Sequence, residues 1–239
     1  MTERLTWEDS ISRLLRKALS HTTTYTVPNI SNFKVSIHPN VYSPKYFPES
    51  KWYGQQLEKL VQPGQDFLES PWQSPSQSVS MASAAAAAAG ATLSDSDSET
   101  EKNRDNDWEE PLQEADIRVS DLYSALPRDS KFHYIFWNHP WQNSTSIVKE
   151  LKTEKTLDEG YCSLSRYMAQ GRAFLHEDGE ILIGTSCYAD LSALNVLAEE
   201  NGFRTEVARE GRSLLEDGTT EEVYYILRLV DLQKTQAQN

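Results

Sequence analysis

Phe132-His133-Tyr134-Ile135-Phe136-Trp137-Asn138-His139-Pro140-Trp141 is the stretch that decides how this chain is read. Its first six residues are aromatic or β-branched apart from His133, and such side chains favour a pleated, half-buried surface. The run therefore predicts a strand. It stops at Asn138, and Pro140 then locks φ and removes a backbone donor, so the strand cannot continue.

Working outward toward the C-terminus, Leu164, Tyr167, Met168 and Leu175 are spaced for one face of a helix over Leu164–Phe174. Asp178-Gly179 reads as a turn, followed by a buried strand Glu180–Gly184. Asp190 has the character of an N-cap for a helix through Leu191, Leu194, Val196 and Leu197, and Asn201-Gly202 ends it. Phe203–Val207 and Val223–Val230 are two further strands, expected to pair as an antiparallel hairpin at one edge. Toward the N-terminus, Ile117-Arg118-Val119 is a short strand. Asp66–Glu69 is another, after the turn Pro63-Gly64. The order from residue 117 on is strand, strand, helix, strand, helix, strand, strand. Alternation of this kind implies a mainly parallel sheet covered on both faces, an α/β fold.

The remaining segments are less regular. Leu5–Ser20 has helical spacing, and a second helix passes through Trp52, Leu57 and Leu60-Val61. Phe33–Ile37 alternates like a short strand, and Val41–Pro48 is an aromatic loop. Met81–Ala91 is almost all alanine, which is either low complexity or a strong helix former. Residues 94–116 are rich in Ser, Asp and Glu, a composition that resists compaction. The expected organisation is a helical and irregular extension over 1–40, one domain over 41–232 with an acidic insert at about 94–116, and a tail over 233–239.

Charge follows the same division. Residues 1–60 carry 8 Lys/Arg against 5 Asp/Glu, whereas residues 91–121 carry 3 against 11, and the whole chain is −13. A net acidic body disfavours sequence-independent contact with phosphate backbones, so a nucleic-acid partner is not expected on charge. A protein or small-molecule substrate is expected instead, with the acidic segment available to protein partners. Two cysteines make no disulfide framework. With neither a signal peptide nor an apolar run near membrane length, the chain reads as cytoplasmic or nuclear and not membrane-bound. The five histidines are far apart in sequence and have no cysteine partners, so no metal site is expected.

In an open α/β sheet, ligands bind outside the carboxyl ends of the strands. Glu69 follows the first strand, and Asp95 and Asp97 follow a second expected around Thr92-Leu93. Asp121 follows the third, Asn138-His139-Pro140-Trp141 the fourth, and Gly184-Thr185-Ser186 the fifth. Four of these five ends place an acid or an Asn at the crevice. At such an end an Asn side-chain oxygen can accept a hydrogen bond from a substrate amino group. The ring of Trp141 can offer a π-face to a planar substrate, and His139 adds a titratable ring.

Asn138-His139-Pro140-Trp141 resembles the Asn-Pro-Pro-aromatic signature of the class I S-adenosylmethionine-dependent methyltransferases of the small-domain type. Tyr42-Ser43-Pro44, Pro63–Glu69, Ala89-Gly90-Ala91-Thr92 with Asp95 and Asp97, Ser120-Asp121 and Asp158–Tyr161 are similar to other parts of that pattern, in order. The resemblance covers roughly residues 41–230. It implies a Rossmann-like, doubly wound sheet and S-adenosyl-L-methionine as cofactor. Glu69, Asp95, Asp97 and Asp121 would be on the cofactor side. Asn138, Pro140 and Trp141 would be the catalytic residues, with Asn138, His139 and Trp141 contacting a planar or amide nitrogen that receives the methyl group.

Two departures stand out. His139 replaces the usual proline. The loop Ser70-Pro71-Trp72-Gln73-Ser74-Pro75-Ser76-Gln77 contains no glycine where the family has a glycine-rich turn that lets backbone approach the cofactor. Three explanations stand: an enzyme with an unusual cofactor loop, a variant transcript or gene-model form, or a catalytically inactive scaffold that serves as an interaction module. A dinucleotide oxidoreductase is the weaker rival, because Gly-x-Gly-x-x-Gly is also absent.

Overall fold

The computed structural model describes residues 7–19, 48–69, 92–95, 116–117, 121–144, 156–214, 218 and 220–237. Two N-terminal helices, α1 (Trp7–Leu19) and α2 (Pro48–Leu60), precede β1 (Asp66–Glu69), β2 (Thr92–Asp95), β3 (Asp116–Ile117) and β4 (Phe132–Asn138). Then come α3 (Cys162–Gly171), β5 (Leu175–Ser186), α4 (Leu191–Glu200), β6 (Phe203–Leu214), β7 (Glu221–Asp231) and α5 (Leu232–Ala237). From β3 to β7 this is the order expected from the sequence. The expected strand Phe33–Ile37, the aromatic loop before residue 48, the alanine run and most of the acidic segment lie outside the described residues.

The seven strands form one sheet in the order β3-β2-β1-β4-β5-β7-β6. β1 pairs parallel with both β2 and β4, and β4 pairs parallel with β5. β7 runs antiparallel to both β5 and β6. The α/β, doubly wound reading therefore holds. The expected antiparallel pair is present, with one refinement: β7 tucks between β5 and β6, so the edge strand is β6.

The pleat explains why both faces are covered. Leu68, Ile135, Trp137, Ile181 and Ile183 bury on one side, in a cluster with Tyr123, Tyr161, Leu164, Tyr167, Met168, Leu194 and Ala198. Their chain neighbours Phe67, Phe136 and Leu182 bury on the other, with Tyr53, Leu57 and Val61 from α2 and the residue after it. Successive strand side chains point to opposite faces, so a central strand buried on both sides reads as a continuous apolar run. On α3 the spacing Leu164, Tyr167, Met168 puts three apolar side chains on one stripe.

α4 is bounded by local chemistry. The Asp190 carboxylate accepts a hydrogen bond from the Ala193 amide at 2.9 Å, the expected N-cap. Gly202 ends the helix at φ +78°, a conformation that costs glycine little. Arg172 lies over the Phe203 ring, 4.5 Å from its centroid, and its Nε donates to Asp231 at 2.7 Å. These contacts fasten the end of the α3 segment to the β6–β7 pair.

One expectation is corrected. Asp178-Gly179 is not a turn but lies inside β5. Between the pairs Phe132↔Leu175 and Tyr134↔Glu180, β5 advances five residues while β4 advances two. The excess is absorbed as a bulge. Gly179 permits it, since a Cβ there would stand 2.6 Å from the Phe132 carbonyl oxygen.

Candidate functional site at the carboxyl ends of the strands

The strand order changes direction at β1 and β4, and this is the switch point at which ligands bind in open α/β sheets. Glu69 ends β1, opposite Asp95 on one side and Phe136 on the other. Asn138 ends β4, opposite Gly184 of β5. The sheet thus brings Glu69, Asp95 and Asn138 to one end of three adjacent strands. Glu69 is buried there. Asp97 and the loop 70–77 lie outside the described residues.

Asn138 carries the most informative atom. Its Oδ1 is buried and has no hydrogen-bond partner among the described residues. An orphaned buried acceptor costs on the order of 1–3 kcal/mol, and native proteins rarely retain one without a reason.

His139 is buried behind it, 2 % exposed. Its Nε2 lies 3.2 Å from Thr185 Oγ1, and its ring meets Trp137 and Tyr161 edge-on. Burial pushes its pKa down to about 3, against a weaker opposing pull from the Pro140 backbone. The ring is therefore neutral across the physiological range. The ring expected from the sequence to titrate near neutrality is corrected to one that is neutral at neutral pH, because the apolar and aromatic walls disfavour the imidazolium.

Pro140 is buried, and Trp141 is half-buried at the start of the following loop. That loop is pinned from two sides. The Tyr161 hydroxyl donates to the Trp141 carbonyl at 2.7 Å and accepts from the Asp190 amide at 3.0 Å. Gln142 bonds through its backbone to Thr156 and Asp158, and the Gly160 amide donates to the Asn143 carbonyl. Asp158, buried, accepts from the Ser163 and Leu164 amides and so anchors the start of α3. Burial raises the Tyr161 pKa to about 12, so the hydroxyl keeps the proton that it donates.

Tyr161→Phe should leave the Trp141 carbonyl and the Asp190 amide without this partner. Urea unfolding is expected to show a loss of about 1–3 kcal/mol. A loss under a few tenths would mean that water replaces the hydroxyl freely.

Asp121 sits apart from this group, on the turn before β4. It pairs with Arg166 at 2.6 Å, and its backbone amide donates to Ser124 Oγ. Asp121 is thus engaged by α3. Sequence reading missed the parts played by Tyr161 and Thr185. Both stood in stretches it had singled out, Asp158–Tyr161 and Gly184–Ser186, but what a hydroxyl touches across 20 or 46 residues is not written in local sequence.

No protein-family model and no curated protein matches the chain. Solved structures do. A tRNA m1G37 methyltransferase from M. jannaschii superposes with a TM-score of 0.53 at 13% identity, covering 88% of this chain and 55% of that one. A 16S rRNA methyltransferase from T. thermophilus, in complex with AdoMet and guanosine, gives 0.52 at 12%, covering 87% and 50%. A putative transferase from Pyrococcus horikoshii gives 0.51 at 11%, covering 88% and 73%. The chain thus spans about half the length of the first two. Such identities speak for fold alone, and the strand order, the switch point and these superpositions agree: the chain has a Rossmann-like α/β fold similar to that of these methyltransferases.

Proposed function

We propose that the chain binds S-adenosyl-L-methionine over the carboxyl ends of β1 and β2 and directs methyl transfer to a planar or amide nitrogen held at Asn138. The observation that carries the proposal is the buried Asn138 Oδ1, an acceptor at the end of β4 with no partner among the described residues. A substrate N–H would satisfy it. The residues around the crevice suit the cofactor, because Glu69 and Asp95 place acids side by side at adjacent strand ends, where ribose hydroxyls or an amino group find acceptors. When bound, the cofactor supplies an electrophilic sulfonium methyl.

The chain's own residues do the rest. Asn138 orients the nitrogen. Pro140 and the Tyr161 clamp hold the loop that carries it. Neutral His139, tied to Thr185, keeps positive charge away from the nucleophile. Rate enhancement in such a site comes from orientation and electrostatics, without a covalent enzyme intermediate.

Titration calorimetry with S-adenosylhomocysteine tests the cofactor half. Saturable binding with a Kd below ~1 mM is expected, about −4 kcal/mol or better, and Glu69→Gln should weaken it. Absence of heat at millimolar ligand would sink the proposal. It would favour a second reading supported by the glycine-free loop Ser70–Gln77: an inactive scaffold that binds protein partners, in part through its acidic segment.

A further inference from the structure

The opposite end of the sheet holds a second cluster. Asp66 opens β1, His133 is the second residue of β4, and His176 the second of β5. The histidines are 43 positions apart in sequence, yet their ring centroids are 4.2 Å apart. Phe132 pairs with Leu175 where the two parallel strands begin, just ahead of the bulge, and this start sets His176 beside His133. One potential ligand atom from each of the three side chains lies within 4.8 Å of the others. The two histidines, far apart in sequence, are thus neighbours in space.

The hydrogen-bond pattern makes the cluster more than a coincidence of position. The Asp66 backbone amide donates to His133 Nδ1 at 3.0 Å, so that nitrogen carries no proton. The same nitrogen stands 3.5 Å from Asp66 Oδ2. The lone pair held by that amide lies beside the carboxylate, so an ion seated there would touch both. His176 Nε2 approaches that same Oδ2 at 3.4 Å. In tetrahedral zinc sites, bonds of about 2.0–2.1 Å place ligand atoms about 3.3–3.4 Å apart. Both contacts to Oδ2 are near that edge length.

We propose that Asp66, His133 and His176 form a site for a divalent transition ion of the zinc class, with water completing the coordination. Two imidazoles and one carboxylate suit such an ion better than magnesium or calcium, which prefer oxygen ligands. On binding, His133 Nδ1 exchanges the Asp66 amide for the ion. All three side chains are partly exposed, at 24–38 %, so the ion has a path in. The ligands come from β1, β4 and β5, so the ion would staple the three central strands at the end away from the crevice and add to stability by binding only the folded chain.

Calorimetry of the full chain, first freed of metal with a chelator, tests the site with zinc sulfate. One ion per chain with a Kd below ~10 µM is expected, together with a rise in Tm that the chelator reverses. His176→Gln and His133→Gln, each checked for native circular dichroism, should weaken binding by at least the ~10- to 100-fold that loss of an outer-shell partner costs. Cobalt(II) should give the visible bands of a four-coordinate ion in the parent protein and not in either variant. No saturable zinc binding, or binding that survives both substitutions unchanged, would overturn the assignment. Neither outcome bears on S-adenosylhomocysteine binding at the other end of the sheet.

Discussion

Acidification from pH 7 to pH 5 is expected to cost the folded protein about 2 kcal/mol through His139 alone. The unfolded ring titrates near 6.5, and burial lowers the folded value to about 3. Above pH 6.5 neither state binds the proton and His139 contributes no pH dependence. Below it the unfolded chain binds a proton that the folded chain refuses. Stability therefore falls as pH falls, by about 1.4 kcal/mol per unit, until the folded ring titrates near pH 3. The full effect approaches ~5 kcal/mol. Urea unfolding of the parent protein and of His139→Gln at pH 7 and pH 5 isolates it, because contributions from the carboxylates cancel between the two. Equal losses in both proteins would show that His139 is hydrated or paired in the folded state. The same property bears on catalysis: no inflection near pH 6.5 in the rate should come from His139.

The second large effect is at Asn138. Asn138→Leu keeps the approximate size and removes the orphaned acceptor. Methyl transfer into a substrate-containing extract is expected to fall by about 100-fold or more, the scale on which a single oriented polar group acts in a preorganised site. S-adenosylhomocysteine affinity should stay within about twofold of the parent. Stability should rise by about 1 kcal/mol, since a buried acceptor without a partner is costly. The opposed signs make the variant informative. A residue that serves the fold would lose stability on substitution, and one that serves a ligand gives up function while the empty fold gains. Lower stability together with unchanged transfer would remove Asn138 from the site.

Most of the fold was legible because it is written in short-range pattern. The buried runs of β4 and β5 are apolar on both faces, and that can only be a central strand or a buried helix; β-branched and aromatic content decides between them. Asp190 and Gly202 mark the ends of α4 by chemistry that operates within a few residues. The positions of Glu69 and Asn138 at strand ends followed from the same pattern, because a strand's carboxyl end is fixed once its direction and last residue are known. Asp178-Gly179 misled for a related reason. The pair has turn composition, but Gly179, with no Cβ to strike the Phe132 carbonyl, let the strand absorb the excess as a bulge instead of reversing.

What local pattern could not reach were the contacts whose energy depends on distant residues. Whether His139 titrates depends on Tyr161 and Thr185, 22 and 46 residues away, closing around it together with the nearby Trp137. Tyr161 acts on Trp141 and Asp190 at once because β4, α3 and α4 meet there. His133 and His176 meet because two parallel strands begin side by side, a register that pairing sets.

By itself, then, the sequence determined the α/β class, the direction of the central strands and the acids and Asn138 at their carboxyl ends, all consequences of side-chain periodicity and turn chemistry. Only the tertiary structure decided that β7 lies inside the edge, that His139 is neutral, that Asn138 Oδ1 has no partner among the described residues and that Asp66, His133 and His176 converge. Each of those depends on which strands become neighbours and in what register, and that is settled by the packing of the whole chain.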